Sequence, residues 1–253
     1  MIATRRGRFV GVRSVRAVAI VLCAVLMASA SPGGARAQPA TGAIAGHVTL
    51  AGRLVGNPII RMGVDPKCAE INAGKQVFQE SAVVALDGSV GNVFVALEGT
   101  FPPTPVPSQP VVIAQHACLY GPRVIGMRVG QPLQIRNDDD LLHNVHSVST
   151  AGNVFNVGQP KAGIVFEFKP KKEEMMLKLA CDVHRWMTAY VGVMSHPYFT
   201  VSDIRGNFQI ANVPPGTYRI KAWHERFGES VQQVIVKPGE TVSADFSYQS
   251  PAK

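Results

Sequence analysis

Residues 181–187 read CDVHRWM and bring a thiol, an imidazole and a thioether within seven positions. Sulfur and imidazole ligands in combination favour copper over the other common protein metals. Two histidines and a cysteine in a trigonal set, with a weakly bound axial methionine, form a copper site that transfers electrons. The stretch supplies Cys181, His184 and Met187, so it lacks one histidine of that set.

A candidate for the missing ligand is His143, which lies in the stretch NDDDLLHNVH at 137–146, 38 residues before Cys181. The sequence MMLKLAC alternates in character, so Leu177, Leu179 and Cys181 share one face of a predicted strand. Further strands are predicted at 124–129, 133–136 and 164–168. The candidate ligands therefore belong to a β-sheet protein.

The region from about Pro110 to Ser195 resembles a cupredoxin. Residues 122–137 (PRVIGMRVGQPLQIRN) are similar to the early strands of plastocyanins and amicyanins, and the HNV at 143–145 is similar to their first-ligand signature. The short Cys-x2-His-x2-Met loop resembles that of amicyanin more than that of plastocyanin. The resemblance implies a Greek-key β-sandwich with one mononuclear type 1-like copper site. Its ligands would be His143, Cys181, His184 and Met187.

One stretch departs from the cupredoxin pattern, and two further side chains have open roles. Asp182-Val183 stands where the relatives have Ser or Thr and then Pro after the cysteine. This difference leaves open the reduction potential and the contact between this loop and Asn144, a residue expected to lie behind the ligands. His146 is an odd step from His143 and would face the other side of a strand. A strand end or a bulge would instead make His146 an extra ligand. A packed Met187 would look the same in sequence as an axial ligand.

The other histidines and the acidic run are expected to lie outside the metal site. Three consecutive acids at 138–140 cannot converge on calcium as spaced loop acids do, so this stretch is predicted to be a solvated loop. The remaining histidines are predicted to be structural or solvated, and they are His47, His116, His196 and His224.

The resemblance to cupredoxins implies a one-electron carrier and not an enzyme. The edge of His184 would be the exit for the electron, with Arg185 and Trp186 on the rim as a docking surface, or with Trp186 packed. The partner would be a redox protein such as a c-type cytochrome or a periplasmic dehydrogenase. Alternatives are a non-redox copper-binding or delivery protein and a carbohydrate-binding or cell-envelope β-protein.

A second, smaller β-sandwich is predicted from the rest of the chain. Asp-x2-Gly-x-Phe at 203–208 and PPGTY at 214–218 resemble carboxypeptidase regulatory-like (transthyretin-like) domains. The combination resembles exported proteins of the methylamine-utilisation type. Strands at 41–107 are predicted to complete a discontinuous sandwich with residues 197–250, around a cupredoxin at 108–196 and after the proline-rich linker 101–110. A separate C-terminal domain is the alternative.

The charge distribution indicates export. The formal net charge is +8, but six of the 25 basic residues and no acidic residue lie in the first 37 positions. Residues 1–16 form a basic region, 17–28 an apolar run, and ARA at 35–37 a cleavage site, so residues 1–37 are predicted to be a signal peptide cleaved after Ala37. The export route, Sec or twin-arginine, stays open. The remaining chain carries 19 basic and 17 acidic residues, so nucleic acid is excluded as a partner and stable membrane insertion is not expected.

Export also changes how the cysteines are interpreted, because the periplasm oxidises thiols. Cys68, Cys118 and Cys181 follow the signal peptide, an odd number that predicts one bridge and one remaining thiol. With Cys181 assigned to the metal, Cys68 and Cys118 are the candidate disulfide. Two separate buried thiols are the alternative.

Overall fold

Over the part of the chain that the structure describes, the fold is all-β, as predicted, and consists of two β-sandwiches with one short helix between strands. The computed structural model describes residues 40–53 and 56–250, so the predicted signal peptide at 1–37 lies outside the described residues. No helix among the described residues is long and apolar enough to cross a membrane.

The regular elements begin and end as follows. One 3₁₀ turn (Met62–Val64) precedes the helix α1 (Pro66–Ile71). The strands in chain order are β1 (Gly42–Ala51), β2 (Val83–Val84), β3 (Val90–Gly91), β4 (Phe94–Glu98), β5 (Val111–His116), β6 (Leu119–Gly121), β7 (Val124–Arg128), β8 (Leu133–Asn137), β9 (His143–Val148), β10 (Asn156–Gln159), β11 (Val165–Phe168), β12 (Glu174–Ala180), β13 (Thr188–Met194), β14 (Phe199–Val201), β15 (Asn207–Val213), β16 (Gly216–His224), β17 (Gly228–Val236), β18 (Thr241–Ser243) and β19 (Phe246–Gln249).

The first sandwich contains the candidate ligands. A five-stranded sheet in the order β10-β9-β12-β13-β7 packs on a four-stranded sheet in the order β11-β8-β5-β6. The four predicted strands are confirmed as β7, β8, β11 and β12. In β12, Leu177 and Leu179 are fully buried, and Cys181 follows on the same side, as the alternation predicts. The alternating pattern therefore directs the cysteine into the interior of the sandwich.

The second sandwich combines strands from both ends of the chain. One sheet contains β15-β1-β18 with β19 also paired to β1, and the other has the order β14-β4-β16-β17. Gly46 of β1 lies opposite Phe208 of β15, and β4 is hydrogen-bonded to both β14 and β16. Strands that precede the first sandwich thus share both sheets with strands that follow it. The domain limits given above stay predictions.

The two sandwiches pack through paired glycines. Gly126 of β7 and Gly192 of β13 are cross-strand neighbours, and the rings of Phe94 and Phe199 lie against them. A Cβ added at either glycine would overlap these rings. An ion pair between Arg123 and Glu225 also crosses this interface. Only glycine allows the two aromatic side chains to lie this close to the sheet.

A loop segment, residues 56–82, folds over the end of the first sandwich and is called the capping segment below. Its two arms meet at a bridge between Ile59 and Phe78. Asp65 caps α1, accepting hydrogen bonds from the backbone N–H groups of Lys67 and Cys68. The predicted disulfide between Cys68 and Cys118 is confirmed, with its sulfur atoms 2.01 Å apart. The bridge ties the capping segment to the loop between β5 and β6.

Candidate metal centre

Three of the predicted ligands converge in the first sandwich. His143 begins β9, while Cys181 and His184 lie in the loop from β12 to β13. The two Nδ1 atoms of His143 and His184 are 2.9 Å apart, and the Sγ atom of Cys181 is 3.9 Å from Nδ1 of His184. The three side chains are 0%, 2% and 1% exposed for His143, Cys181 and His184. This arrangement brings two nitrogen donors and one sulfur donor within reach of a single ion.

The loop at 181–187 is held closed by its own backbone. The N–H of Met187 donates to the carbonyl of His184 at 2.8 Å, and the N–H of Cys181 donates to the carbonyl of Met187 at 3.3 Å. The N–H of His184 also donates to Sγ of Cys181 at 3.4 Å. The side chain of Met187 is buried in the same apolar cluster as Cys181. The loop therefore directs all three sulfur- and nitrogen-bearing side chains inward.

A carboxylate lies on the outer nitrogen of each candidate histidine ligand. Nε2 of His143 is 2.9 Å from Oδ2 of Asp139, and Nε2 of His184 is 2.9 Å from Oδ2 of Asp65. Asp139 is only 4% exposed and also accepts hydrogen bonds from the N–H groups of Ala117 and Cys118. The prediction of a solvated loop at 138–140 is thus wrong for Asp139. Its backbone position in the turn points its carboxylate inward, while the adjacent Asp138 pairs with Arg136 at the surface.

These carboxylates determine which ring nitrogen carries the proton. The hydrogen bond from His184 lowers the pKa of Asp65. Burial acts to raise the pKa of Asp139, but its hydrogen bonds with His143, Cys118 and Ala117 outweigh burial and lower it. Both groups are therefore ionised and act only as acceptors, so each ring carries its proton on Nε2. The two Nδ1 lone pairs then face each other.

Two lone pairs 2.9 Å apart require a cation between them. When no metal is bound, one proton on Nδ1 of His143, hydrogen-bonded to Nδ1 of His184, would serve as this cation. Burial opposes charging of His143, but its hydrogen bonds with Asp139 and Cys181 outweigh burial and raise its pKa. Burial likewise acts to raise the pKa of Cys181, but the hydrogen bond with His143 and the surrounding N–H groups lower it. A cysteine sulfur beside two imidazole nitrogens is a donor set that fits a soft metal ion such as copper.

Asn144 and Asp182 connect the two ligand-bearing segments. The side-chain amide of Asn144 donates to Oδ2 of Asp182 at 2.9 Å, and the N–H of Asp182 donates back to Oδ1 of Asn144. The acid that replaces the usual hydroxyl residue therefore serves as an acceptor for Asn144. His146 is not part of the donor cluster, because its Nδ1 lies 3.0 Å from Oδ1 of Asp182 on the outer face of β9.

The outer edge of His184 does not reach solvent. Asp65 contacts its Nε2, and Sγ of Cys68 lies 3.4 Å from the same atom. Arg185 is exposed on the rim, whereas Trp186 is half-buried and donates its indole N–H to the carbonyl of Cys118 at 2.9 Å. The capping segment thus covers the edge through which the resemblance implies that an electron would leave.

The remaining histidines are positioned away from the donor cluster. His47 contacts Ser89 and the carbonyl of Arg205, and His116 is exposed near Asp139. His196 and His224 are buried in aromatic clusters. Sequence reasoning missed Asp65, although Asp-Pro at a helix start is a signal for its capping role. No sequence signal connects it to His184, which lies 119 residues away.

Comparisons with known proteins give partial matches. A family model described as polysaccharide lyase family 4, domain II, matches residues 176–244. No curated protein matches the sequence. The carboxypeptidase regulatory-like resemblance of the second sandwich stays a prediction.

Similar solved structures include a purple cupredoxin from Nitrosopumilus maritimus, at 28% identity over 33% of this chain and 98% of that one, with a TM-score of 0.29. A Cu(I) structure of an amicyanin mutant matches at 17% identity over 40% of this chain and 98% of that one, with a TM-score of 0.31. A Cu-containing nitrite reductase from Thermus scotoductus matches at 18% identity over 37% of this chain and 25% of that one, with a TM-score of 0.32.

Proposed function

We propose that this protein binds one copper ion and carries single electrons between redox partners. The observation that carries the proposal is the pair of Nδ1 atoms of His143 and His184, 2.9 Å apart beside Cys181, with a carboxylate on each outer nitrogen. Met187, buried in the same cluster, would be the axial ligand. A bound copper ion supplies the one-electron Cu(I)/Cu(II) couple.

Burial and rigidity of the donors favour a carrier over an enzyme. The four side chains are at most 2% exposed, so a bound ion would be shielded from solvent. A catalytic metal site usually keeps an open position for water or substrate. Both rings are fixed through their outer nitrogens, and the ligand loop is closed by backbone hydrogen bonds. A site held in this way would rearrange little when its charge changes.

The compartment we propose is the periplasm, reached after cleavage of residues 1–37. The disulfide between Cys68 and Cys118 supports an oxidising compartment. The partner would be another redox protein, such as a c-type cytochrome or a periplasmic dehydrogenase. The exposed Arg185 beside the covered His184 would belong to the docking surface.

The test is an optical titration of the purified protein with Cu(II). We expect one equivalent to give an intense visible thiolate-to-copper band and a reversible one-electron wave in voltammetry. Cys181→Ser should abolish the band, whereas the control His116→Gln, at an exposed histidine outside the cluster, should retain it. A colourless wild-type protein, or a band that survives Cys181→Ser, would contradict the proposal.

A further inference from the structure

We propose that Asp65 is a positioning residue for His184, and that the disulfide holds it there, so that the capping segment tunes the metal site. The inference rests on the proposed function and extends it to residues outside the first sandwich. Asp65 approaches His184 from the capping segment, 119 residues away in sequence. The metal site in the first sandwich would therefore be completed by the capping segment, which contributes no strand to either sheet of that sandwich.

The two oxygens of Asp65 have separate partners. Oδ1 accepts hydrogen bonds from the N–H groups of Lys67 at 2.9 Å and Cys68 at 3.2 Å, which caps α1. Oδ2 accepts the Nε2–H of His184 at 2.9 Å. The helix cap thus fixes the carboxylate, and the carboxylate fixes the ring. Because Nε2 carries the proton, Nδ1 is left free to bind metal.

The disulfide connects the two carboxylate–histidine pairs. The N–H of Cys68 donates to Asp65, and the N–H of Cys118 donates at 2.8 Å to the same oxygen of Asp139 that faces His143. The bridge therefore joins one of the two backbone donors of Asp65 to one of the two backbone donors of Asp139. Lys67 adds a contact of its Nζ atom with the carbonyl of Asp140 at 3.3 Å. Through these links the bridge would hold the two carboxylates, and with them the two rings, at a fixed spacing.

A carboxylate on the outer nitrogen makes an imidazole a stronger donor to the metal. Loss of such a partner typically costs about 10- to 100-fold in metal affinity. The more highly charged Cu(II) gains more from a stronger donor than Cu(I) does. If Cu(II) affinity falls tenfold relative to Cu(I), the one-electron reduction potential rises by about 59 mV.

Asp65→Asn separates the two roles of this side chain. Asparagine is a good helix cap, so its oxygen can keep the contacts with Lys67 and Cys68. With that oxygen at the helix cap, the NH₂ group faces His184, cannot accept its Nε2–H and would donate to that nitrogen instead. We expect a 10- to 100-fold loss of Cu(II) affinity and a higher reduction potential. The control is Asp203→Asn in the second sandwich. Asp203 accepts hydrogen bonds from the backbone N–H groups of Arg205 and Asn207, but its carboxylate does not face a histidine.

A second measurement uses the metal-free protein with ¹⁵N-labelled histidine. In the wild type, His184 should carry its proton on Nε2, and in Asp65→Asn the Nδ1–H form should appear. Cys68→Ala/Cys118→Ala, provided that it remains folded by circular dichroism, should shift the potential in the same direction as Asp65→Asn.

The outcomes separate this inference from the proposed function. A wild-type protein that binds no copper contradicts the function, while the tautomer of His184 still tests Asp65. If the wild type binds copper but Asp65→Asn leaves affinity, potential and the His184 tautomer unchanged, the inference is overturned. A potential that follows Asp65→Asn but not the disulfide variant overturns the role of the bridge alone.

Discussion

Nδ1 of His143 lies 2.9 Å from Nδ1 of His184, and the outer nitrogen of each ring faces a carboxylate. The pair is therefore prepared for a cation. A metal that binds the folded state alone stabilises it by an amount set by its concentration relative to Kd, about 2.7 kcal/mol at 100 times Kd.

This relationship predicts that Zn(II), a redox-inert ion that also takes nitrogen and sulfur ligands, raises the melting temperature in a concentration-dependent way. Differential scanning calorimetry at several Zn(II) concentrations measures the shift. Cys181→Ser should reduce it strongly, because the thiolate is lost from the donor set. His146→Gln should leave it unchanged, since His146 contacts Asp182 outside the cluster. If the Zn(II)-dependent rise in melting temperature were lost in His146→Gln, His146 would instead be identified as a ligand.

Asp139 is predicted to stabilise the fold even without metal. Its oxygens accept hydrogen bonds from Ala117, Cys118 and His143, and it is almost fully buried. Asp139→Asn leaves one oxygen for these donors, and an unsatisfied buried group costs about 1 to 3 kcal/mol. Urea denaturation of the metal-free protein should show this decrease in the free energy of unfolding.

The adjacent Asp138 provides the control for this prediction. Its pair with Arg136 lies at the surface, where ion pairs contribute about 0 to 1 kcal/mol. Asp138→Asn should therefore change the free energy of unfolding by less than Asp139→Asn. Equal effects of the two variants would show that the inward position of Asp139 has no energetic consequence.

The outcome for these two neighbours illustrates what the sequence could predict. The alternation of apolar residues correctly predicted which side chains of β12 face the interior, because alternation is a local property of a strand. Counting cysteines led to the disulfide once one thiol had been assigned to the metal. The three acids at 138–140, in contrast, look identical in sequence. Only the turn conformation and the nearby N–H groups of Ala117 and Cys118 distinguish Asp139 from its neighbours.

Asp65 could not be predicted for a different reason. Its local role as a helix cap follows from the residues that surround it, but its contact with His184 depends on how the capping segment folds over the first sandwich. The same fold buries the outer edge of His184 and packs Trp186 against Cys118. Local patterns therefore identified the donors, while the groups that orient and cover them come from tertiary structure.

The packing of the two sandwiches is predicted to depend on Gly192. A Cβ at this position would overlap the ring of Phe94, which is fully buried. Overpacking of this kind costs about 1 to 3 kcal/mol, so Gly192→Ala should lower the urea midpoint. Gly158→Ala is the control, because a Cβ at Gly158 in β10 of the same sheet meets no atom within 4 Å. If Gly192→Ala is as stable as Gly158→Ala, the close approach of Phe94 is not required.

A pH dependence is expected from His224, which lies in the second sandwich far in sequence from the candidate ligands. Burial lowers its pKa to about 4, and the nearby arginines Arg226 and Arg123 act in the same direction. Its Nδ1 accepts hydrogen bonds from the N–H groups of Arg226 and Phe227, so the neutral ring is the form that fits. The ordinary pKa of histidine in an unfolded chain is about 6.5.

Between these two values the unfolded chain binds a proton that the folded protein does not. The contribution of His224 to stability is therefore present above pH 6.5 and decreases as the pH falls toward 4. The loss between pH 7 and pH 5 should be about 2 kcal/mol. His224→Asn keeps an acceptor for the two N–H groups but does not titrate. Urea denaturation of the metal-free wild type and variant across this range gives the free energy of unfolding at each pH. Plotted against pH, the two free energies should converge as the pH falls. Parallel plots would show that His224 is not held neutral.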